Sequence, residues 1–211
     1  TDSHWTLSEK RLDNIKDIQK IKKKYPKAKI YDYRSMHHLT HAACAFYNSG
    51  FTEASCIVVD SNGSKTSEGL EIETIFNAPS FTEIHKRYFS PDFVGFGRIF
   101  EETARTYGWD YRDAGKVMGK SASGHAPAYT VQKKFEQRYS ELIEMTTGNV
   151  CLSGGCFLNC VANYKMKKKY PHINFYIEQE PIYKKYQRIL YKDKSNNWNY
   201  TYKNNFDNFD Y

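Results

Sequence analysis

The sequence predicts an α/β fold in which strands alternate with helices in layers around a common core. Two observations support this class: apolar runs of strand length, as at residues 56–59, and amphipathic helical patterns, as at 131–145, that follow one another along the chain. With 211 residues, of which 40% are apolar, the chain is long enough to bury a real core.

The predicted elements follow in order. Helices are expected at residues 7–24, 37–48, 97–108, 131–145 and 156–168, and strands at 28–33, 56–59, 72–76, 149–152 and 173–177. An Asn-Ser-Gly stop ends the helix at 37–48, and the turn DSNGS separates the strand at 56–59 from its return strand. Residues 182–211 are rich in Tyr, Lys and Asn without a clear period, so no element is predicted there.

Composition limits the classes of function. The net charge is +7, but the two lysine-rich stretches, IKKKYP and KKKYP, each end a helical pattern, where lysines complement the helix C-terminus. This pattern disfavours a nucleic-acid partner. No apolar run is long enough to span a membrane and no signal peptide opens the sequence. Five scattered cysteines without zinc spacing indicate reduced, buried thiols, so a cytoplasmic protein is expected.

Three histidines in the segment MHHLTHAACAFYNSGFTEASCIVVD form a candidate metal site. On a helix, His37 and His41 share one face, while His38 points about 100° away. Asp60 ends the following strand, and in α/β proteins ligands gather at the carboxyl ends of strands. Two imidazoles and one carboxylate suit iron(II), manganese or zinc. A histidine-rich surface helix without a metal is the alternative.

Two glycine-rich segments are candidate anion sites. In NVCLSGGCFLNCVANYKM, paired glycines lie between a strand and a helix, where backbone N–H groups can bind phosphate. The segment GKVMGKSASG adds a lysine within a glycine-rich loop. Each segment has a plain structural alternative, a tight turn in the first case and an exposed flexible loop in the second.

In order and approximate spacing, these three segments resemble the O-carbamoyltransferases of antibiotic tailoring and nodulation-factor synthesis, which are relatives of the tRNA threonylcarbamoyl transferases. The similarity covers residues 35–178. It implies an actin-like, sugar-kinase-like duplicated α/β domain over residues 1–181, with an incomplete first lobe, followed by a tail of uncertain structure at 182–211.

The resemblance also implies ligands and site residues. Iron(II) or another divalent metal would bind at His37, His41 and Asp60 and contact the phosphates of a nucleotide, ATP or carbamoyl-adenylate. The residues expected along the nucleotide are Lys116, Gly119, Ser153, Gly154, Gly155 and Asn159.

The implied reaction is transfer of a carbamoyl group from carbamoyl-adenylate to the hydroxyl of a small-molecule acceptor. The metal would stabilise charge on the phosphate leaving group. His38 is the candidate catalytic base, with a role in helix packing as its alternative. In full-length members a companion domain makes the adenylate, and this sequence does not contain it. The isolated chain is therefore not expected to perform the full reaction.

The sequence departs from the family pattern in three ways. Its opening, TDSHWTLSEK, is expected to be helical, where members have a phosphate-binding loop. Lys120 and Ser123 replace a usual Leu and Tyr. The aspartate that supplies a fourth metal ligand belongs to a Gly-Asp-x-Gly segment after the strand at 173–177, yet no glycine follows Gly155. The later aspartates, Asp193, Asp207 and Asp210, lack that context.

Two interpretations therefore accompany the enzyme hypothesis. The chain is expected to be a fragment, a degenerate copy or a sequence with segments missing, and the alternative function is a non-catalytic binding or structural protein that retains the fold. A phosphotransferase of the same superfamily would use an aspartate base with magnesium, so the pair of histidines argues against that class.

Overall fold

A five-stranded mixed sheet organises this computed structural model, which describes residues 23, 26 and 35–178 and the backbone of 186–192 and 198–204. Its strands are β1 (Ala54–Val59), β2 (Glu71–Ala78), β3 (Thr82–Tyr88), β4 (Val150–Ser153) and β5 (Phe175–Ile177). Their order is β3-β2-β1-β4-β5. Strand β2 is antiparallel to both of its neighbours, while β1, β4 and β5 run parallel. The predicted α/β class is confirmed.

Helices cover both faces of the sheet. They are α1 (His37–Ser49), α2 (Phe96–Thr106), α3 (Ala114–Ser121), α4 (Ala128–Glu144) and α5 (Cys160–Lys169), with 3-10 turns at Tyr111–Asp113 and Gly155–Leu158. Helix α1 packs on one face, where Cys56 and Val58 point, and the other four pack on the face of Ile57 and Val59. Because both faces are covered, all six residues of β1 are buried.

Several predicted elements are confirmed. The helix predicted at 37–48 is α1, and it ends at Gly50, whose φ of 74° provides the left-handed C-cap. The central strand at 56–59 and its return strand at 72–76 are parts of β1 and β2. The lysines of KKKYP, Lys167 to Lys169, form the last turn of α5, as their structural interpretation requires.

Other predictions were wrong in detail. Strand β3 was missed because the sequence TEIHKRY of an exposed edge strand lacks an apolar run. The GKVMGKSASG segment was expected to be a loop, but its first part is helix α3. The helix predicted at 156–168 is divided, because a 3-10 turn precedes α5. All five cysteines are free, yet Cys44 and Cys160 are exposed rather than buried.

The predicted helix at 7–24 and strand at 28–33 lie outside the described residues, and the domain division at 181 stays a prediction. In the tail, where no element was predicted, strands β6 (Tyr186–Lys192) and β7 (Trp198–Asn204) pair in an antiparallel two-stranded sheet. Among the residues that the structure describes, no helix combines the length and apolarity needed to cross a membrane.

Candidate metal centre

The start of α1 is fixed to the loop that follows β1. The backbone N–H of His37 donates to Ser64 Oγ at 2.9 Å, which caps a helix whose own N-cap residue, Met36, provides no side-chain bond. The N–H of Ser64 in turn donates to the buried carboxylate of Glu71 at 3.1 Å. These bonds hold the two histidines of the first helical turns beside the carboxyl end of β1.

Asp60 lies where β1 ends and faces both histidines. Its Oδ2 is 3.2 Å from His37 Nε2 and 3.6 Å from His41 Nε2, while the N–H of Ser61 donates to Oδ1 at 2.7 Å. One ligand atom from each of His37, His41 and Asp60 lies within 4.8 Å of the others. The structure thus brings together the three residues that the sequence pattern predicted, with the two Nε2 atoms aimed at one oxygen.

The Ser153-Gly154-Gly155 turn lies against this cluster because β4 pairs parallel with β1. A Cβ on Gly154 would be only 2.4 Å from the carbonyl oxygen of Val59, so the turn passes directly over the end of β1. A Cβ on Gly155 would be 3.4 Å from Asp60 Oδ1. Two segments more than ninety residues apart therefore form one site.

Glu178 is a site residue that the sequence pattern did not reveal. It follows β5 directly, and its N–H donates to the carbonyl of Leu152 at 2.8 Å, which continues the parallel pairing with β4. Its carboxylate Oε2 accepts a short hydrogen bond from Ser153 Oγ and lies 3.4 Å from His41 Nδ1. The signal was available: an acidic residue ends the strand beside β4, at the edge where Asp60 ends β1.

Two carboxylates dominate the charge of the centre. Burial alone would raise the pKa of Asp60, but the hydrogen bond with His37 and the charge interactions with His41 and His37 lower that pKa overall. Between described residues, neither Asp60 nor Glu178 forms an ion pair with a lysine or an arginine. Their ion-pair partners are the two imidazoles, and a set of two imidazoles and a carboxylate also suits a divalent cation.

The cluster also resembles a serine–histidine–aspartate catalytic triad in its contacts. His41 Nδ1 is 2.9 Å from Ser153 Oγ, and His41 Nε2 faces Asp60. The hydroxyl of Ser153, however, donates its hydrogen to Glu178, because an ionised carboxylate can accept hydrogen bonds but cannot donate them. The serine is also 1% exposed. A serine that donates away from its base and is shielded from substrate does not act as a nucleophile.

His38, the candidate base, lies in the interior. It is 0% exposed, its Nδ1 is 2.7 Å from Thr74 Oγ1, and its Nε2 has no hydrogen-bond partner among the described residues. Gly63 covers that nitrogen so closely that a Cβ there would be 2.7 Å away. Burial lowers the pKa of His38 to about 3, so the ring is neutral at physiological pH. These contacts favour the packing role over the catalytic one, which stays a prediction.

Two further predicted residues, Lys116 and Gly119, lie on helix α3. Lys116 is exposed and pairs with Asp113 at 2.9 Å. It shares helix α3 with Gly119, and Met118 Sδ of that helix is 3.7 Å from Cys160 Sγ at the start of α5. The segment GKVMG therefore borders the element that follows the glycine turn, while its lysine contacts Asp113 rather than the metal cluster.

Asn159 has a structural role at the start of α5. Its Oδ1 accepts from the N–H of Ala162 at 3.0 Å and from Gln132 Nε2 at 3.2 Å, and its Nδ2 donates to Gln132 Oε1 at 2.8 Å. The side chain thus caps α5. Because α5 is capped and the 3-10 turn Gly155–Leu158 separates it from the glycines, an anion would meet that turn rather than an open α-helix N-terminus.

No family model matches this sequence, and the search of curated proteins finds no match. The function is therefore inferred from the arrangement of the side chains and from the resemblance of the three segments.

Proposed function

We propose that this chain is a carbamoyltransferase-like domain that binds iron(II) or another divalent metal at His37, His41 and Asp60. A nucleotide, ATP or carbamoyl-adenylate, would bind beside the metal along Gly154 and Gly155. Ser153 is also expected along the nucleotide, but it is 1% exposed, which disfavours a direct contact. The proposed reaction transfers a carbamoyl group to the hydroxyl of a small-molecule acceptor. A cytoplasmic location stays a prediction, as does the charge pattern's disfavouring of a nucleic-acid partner.

One observation carries the proposal: the histidine segment and the Ser-Gly-Gly segment meet at the carboxyl ends of two adjacent parallel strands. Separate surface histidines and a separate tight turn would have no reason to converge. Here His41 contacts Ser153, and Gly155 lies against Asp60. A cation held by Asp60 would therefore lie next to the backbone of the turn, as joint binding of a metal and a phosphate requires.

For the fold, we propose one lobe of an actin-like, sugar-kinase-like domain. Three consecutive strands, β1 to β3, form an antiparallel meander, and β4 and β5 extend the same sheet in parallel with β1. Helices cover both faces. This arrangement supports the proposal because it leaves the carboxyl ends of three parallel strands at one edge, available to a ligand held between two lobes.

The chemistry of the proposed transfer follows from these positions. The acceptor oxygen would form a bond to the carbamoyl carbon, the bond from that carbon to the phosphate oxygen would break, and AMP would leave with the electron pair. A bound metal would stabilise negative charge on the phosphate leaving group. His37, His41 and Asp60 would hold it, and the glycine turn would orient the nucleotide. The proton of the acceptor hydroxyl would pass to a base. His38 is the residue that the sequence predicts for this role, but its buried position favours packing instead.

A second candidate is a binding protein that retains the metal site without turnover. It is favoured by the positions of His38 and Asn159, because both side chains are engaged in the interior rather than directed at the cluster. This candidate predicts metal and nucleotide binding equal to those of the enzyme, with no carbamoylated product.

A product assay separates the two candidates. The chain is incubated with iron(II), a panel of hydroxylated acceptors and either carbamoyl phosphate with ATP or synthetic carbamoyl-adenylate, and products are measured by mass spectrometry. Because the resemblance assigns adenylate formation to a companion domain, we expect product only with the preformed adenylate. Product that persists in the His41→Ala variant would refute a role for the metal, and no product in either arm would favour the binding protein.

Nucleotide binding has its own test. Gly155→Val would place a branched side chain against Asp60 Oδ1, where a Cβ already lies at 3.4 Å, and over the backbone of the turn. We expect the variant to fold and to bind ATP at least about tenfold more weakly in calorimetry, about 1.4 kcal/mol. Thr82→Val, which places a valine on the exposed edge strand β3 away from β4, is the control for a new valine outside the site. Unchanged affinity in Gly155→Val would make the turn purely structural.

A further inference from the structure

Glu178 lies on the far side of His41 from the metal ligands. Its side chain is 9% exposed, and among described residues its carboxylate contacts only Ser153 and His41. Glu178 Oε2 and Ser153 Oγ both lie at the Nδ1 edge of the imidazole, whereas Nε2 faces Asp60. Glu178 is therefore placed to act on His41 rather than to join the three converging ligand atoms.

The directions of these hydrogen bonds are fixed by chemistry. An ionised carboxylate can only accept, so the hydroxyl of Ser153 donates to Glu178 and its oxygen is left to accept. His41 Nδ1 thus faces two acceptors, Ser153 Oγ at 2.9 Å and Glu178 Oε2 at 3.4 Å. Of the two neutral tautomers, the one with the hydrogen on Nδ1 satisfies these acceptors, and in that tautomer Nε2 presents its lone pair toward Asp60.

We infer that Glu178, acting with Ser153, sets the tautomer and orientation of His41 and is a positioning residue for the metal. This inference rests on the proposed metal site. With the hydrogen on Nδ1, Nε2 and the oxygen of Asp60, 3.6 Å apart, are two acceptors that a cation bound between them would join. A carboxylate behind a ligating histidine fixes the ring and raises its basicity, and loss of such a partner costs about 10- to 100-fold in metal affinity.

The test uses Glu178→Gln, which keeps the shape but removes the obligatory acceptor, because an amide can present either its oxygen or its NH₂ group. Histidine ¹⁵N NMR of the metal-free protein reports the tautomer directly. We expect His41 to be protonated at Nδ1 in the wild type and to become a mixture of tautomers in the variant. The affinity for zinc or cobalt(II), measured by chelator competition, should fall about 10- to 100-fold.

Glu102→Gln is the matched control, since Glu102 is an exposed glutamate on α2 that pairs with Arg105. It should change neither the tautomer nor the metal affinity. Wild-type His41 protonated at Nε2 would overturn the inference even if Glu178→Gln failed to fold, and so would a folded variant with unchanged tautomer and affinity. A wild type that binds no zinc or cobalt(II) but has the expected tautomer would refute the metal site and leave the role of Glu178 in orienting His41 intact.

Discussion

Replacing His41 with alanine is expected to abolish metal binding. His41 contributes one of only three converging ligand atoms among the described residues, and its removal leaves His37 and Asp60 as an incomplete site. The affinity for iron(II), cobalt(II) or zinc should fall more than the roughly 100-fold that loss of an outer-shell partner can cost. Elemental analysis of the purified protein and chelator competition measure the effect, and His37→Ala should behave in the same way.

Two further histidines serve as controls for His41→Ala. His125 is exposed just before α4, so His125→Ala should retain the full metal content. His38→Ala should also retain it, although loss of a buried ring leaves a cavity and lowers stability, so metal content is compared per folded molecule. Equal metal loss in His38→Ala and His41→Ala would contradict the assignment of His37 and His41 as the metal-binding pair.

The convergence of His37, His41 and Asp60 was predictable from the sequence because each step was local. The spacing of His37 and His41 defines one helical face, and Asp60 ends an apolar run that fits a buried strand. Their convergence required only that the helix pack beside that strand. The packing of His38 was not accessible in the same way, because its partner Thr74 and its cover Gly63 come from the return strand and the loop.

The position of Glu178 in the site could not be predicted from local sequence patterns. The carbamoyltransferase resemblance predicts an aspartate in a Gly-Asp-x-Gly segment after β5. The aspartates that follow β5 in this sequence are the distant Asp193, Asp207 and Asp210. The relevant acid directly follows the strand, and only the parallel register of β5 with β4 brings it to Ser153. Pairing between strands depends on contacts that are remote in sequence, which periodicity within one segment does not report.

Strand β3 and helix α3 show that local sequence also fails to report tertiary packing elsewhere in the fold. Strand β3 consists of exposed and half-buried residues and was missed, because its pairing with β2 comes from the neighbouring strand rather than from its own apolar content. Helix α3 contains two glycines, which suggested a loop. Its Val117 is buried in the core beside α4, so tertiary packing outweighs the low helix propensity of Gly115 and Gly119.

Gly154→Ala is expected to have the largest effect on stability. Gly154 has φ 94° and ψ 157°, a combination that is essentially restricted to glycine. A Cβ there would also be 2.4 Å from the carbonyl oxygen and 2.9 Å from the carbonyl carbon of Val59. Both obstacles are backbone of the central strand, so no flexible side chain can move aside. Strain and overlap together should lower the free energy of unfolding by roughly 3–5 kcal/mol.

Urea unfolding followed by circular dichroism measures this loss, and two other glycines give the comparison. Gly155→Ala meets only an ordinary contact with Asp60 Oδ1 and should change stability little. Gly119→Ala lies within α3 with nothing near its new Cβ and should stabilise by about 0.5–1 kcal/mol, because alanine favours helix. Since Val59 directly precedes Asp60, any Gly154→Ala protein that folds should also bind metal more weakly. A folded Gly154→Ala protein within about 1 kcal/mol of the wild type would mean that the turn does not pass over the end of β1, and the glycine turn and the histidine cluster would then no longer form one site.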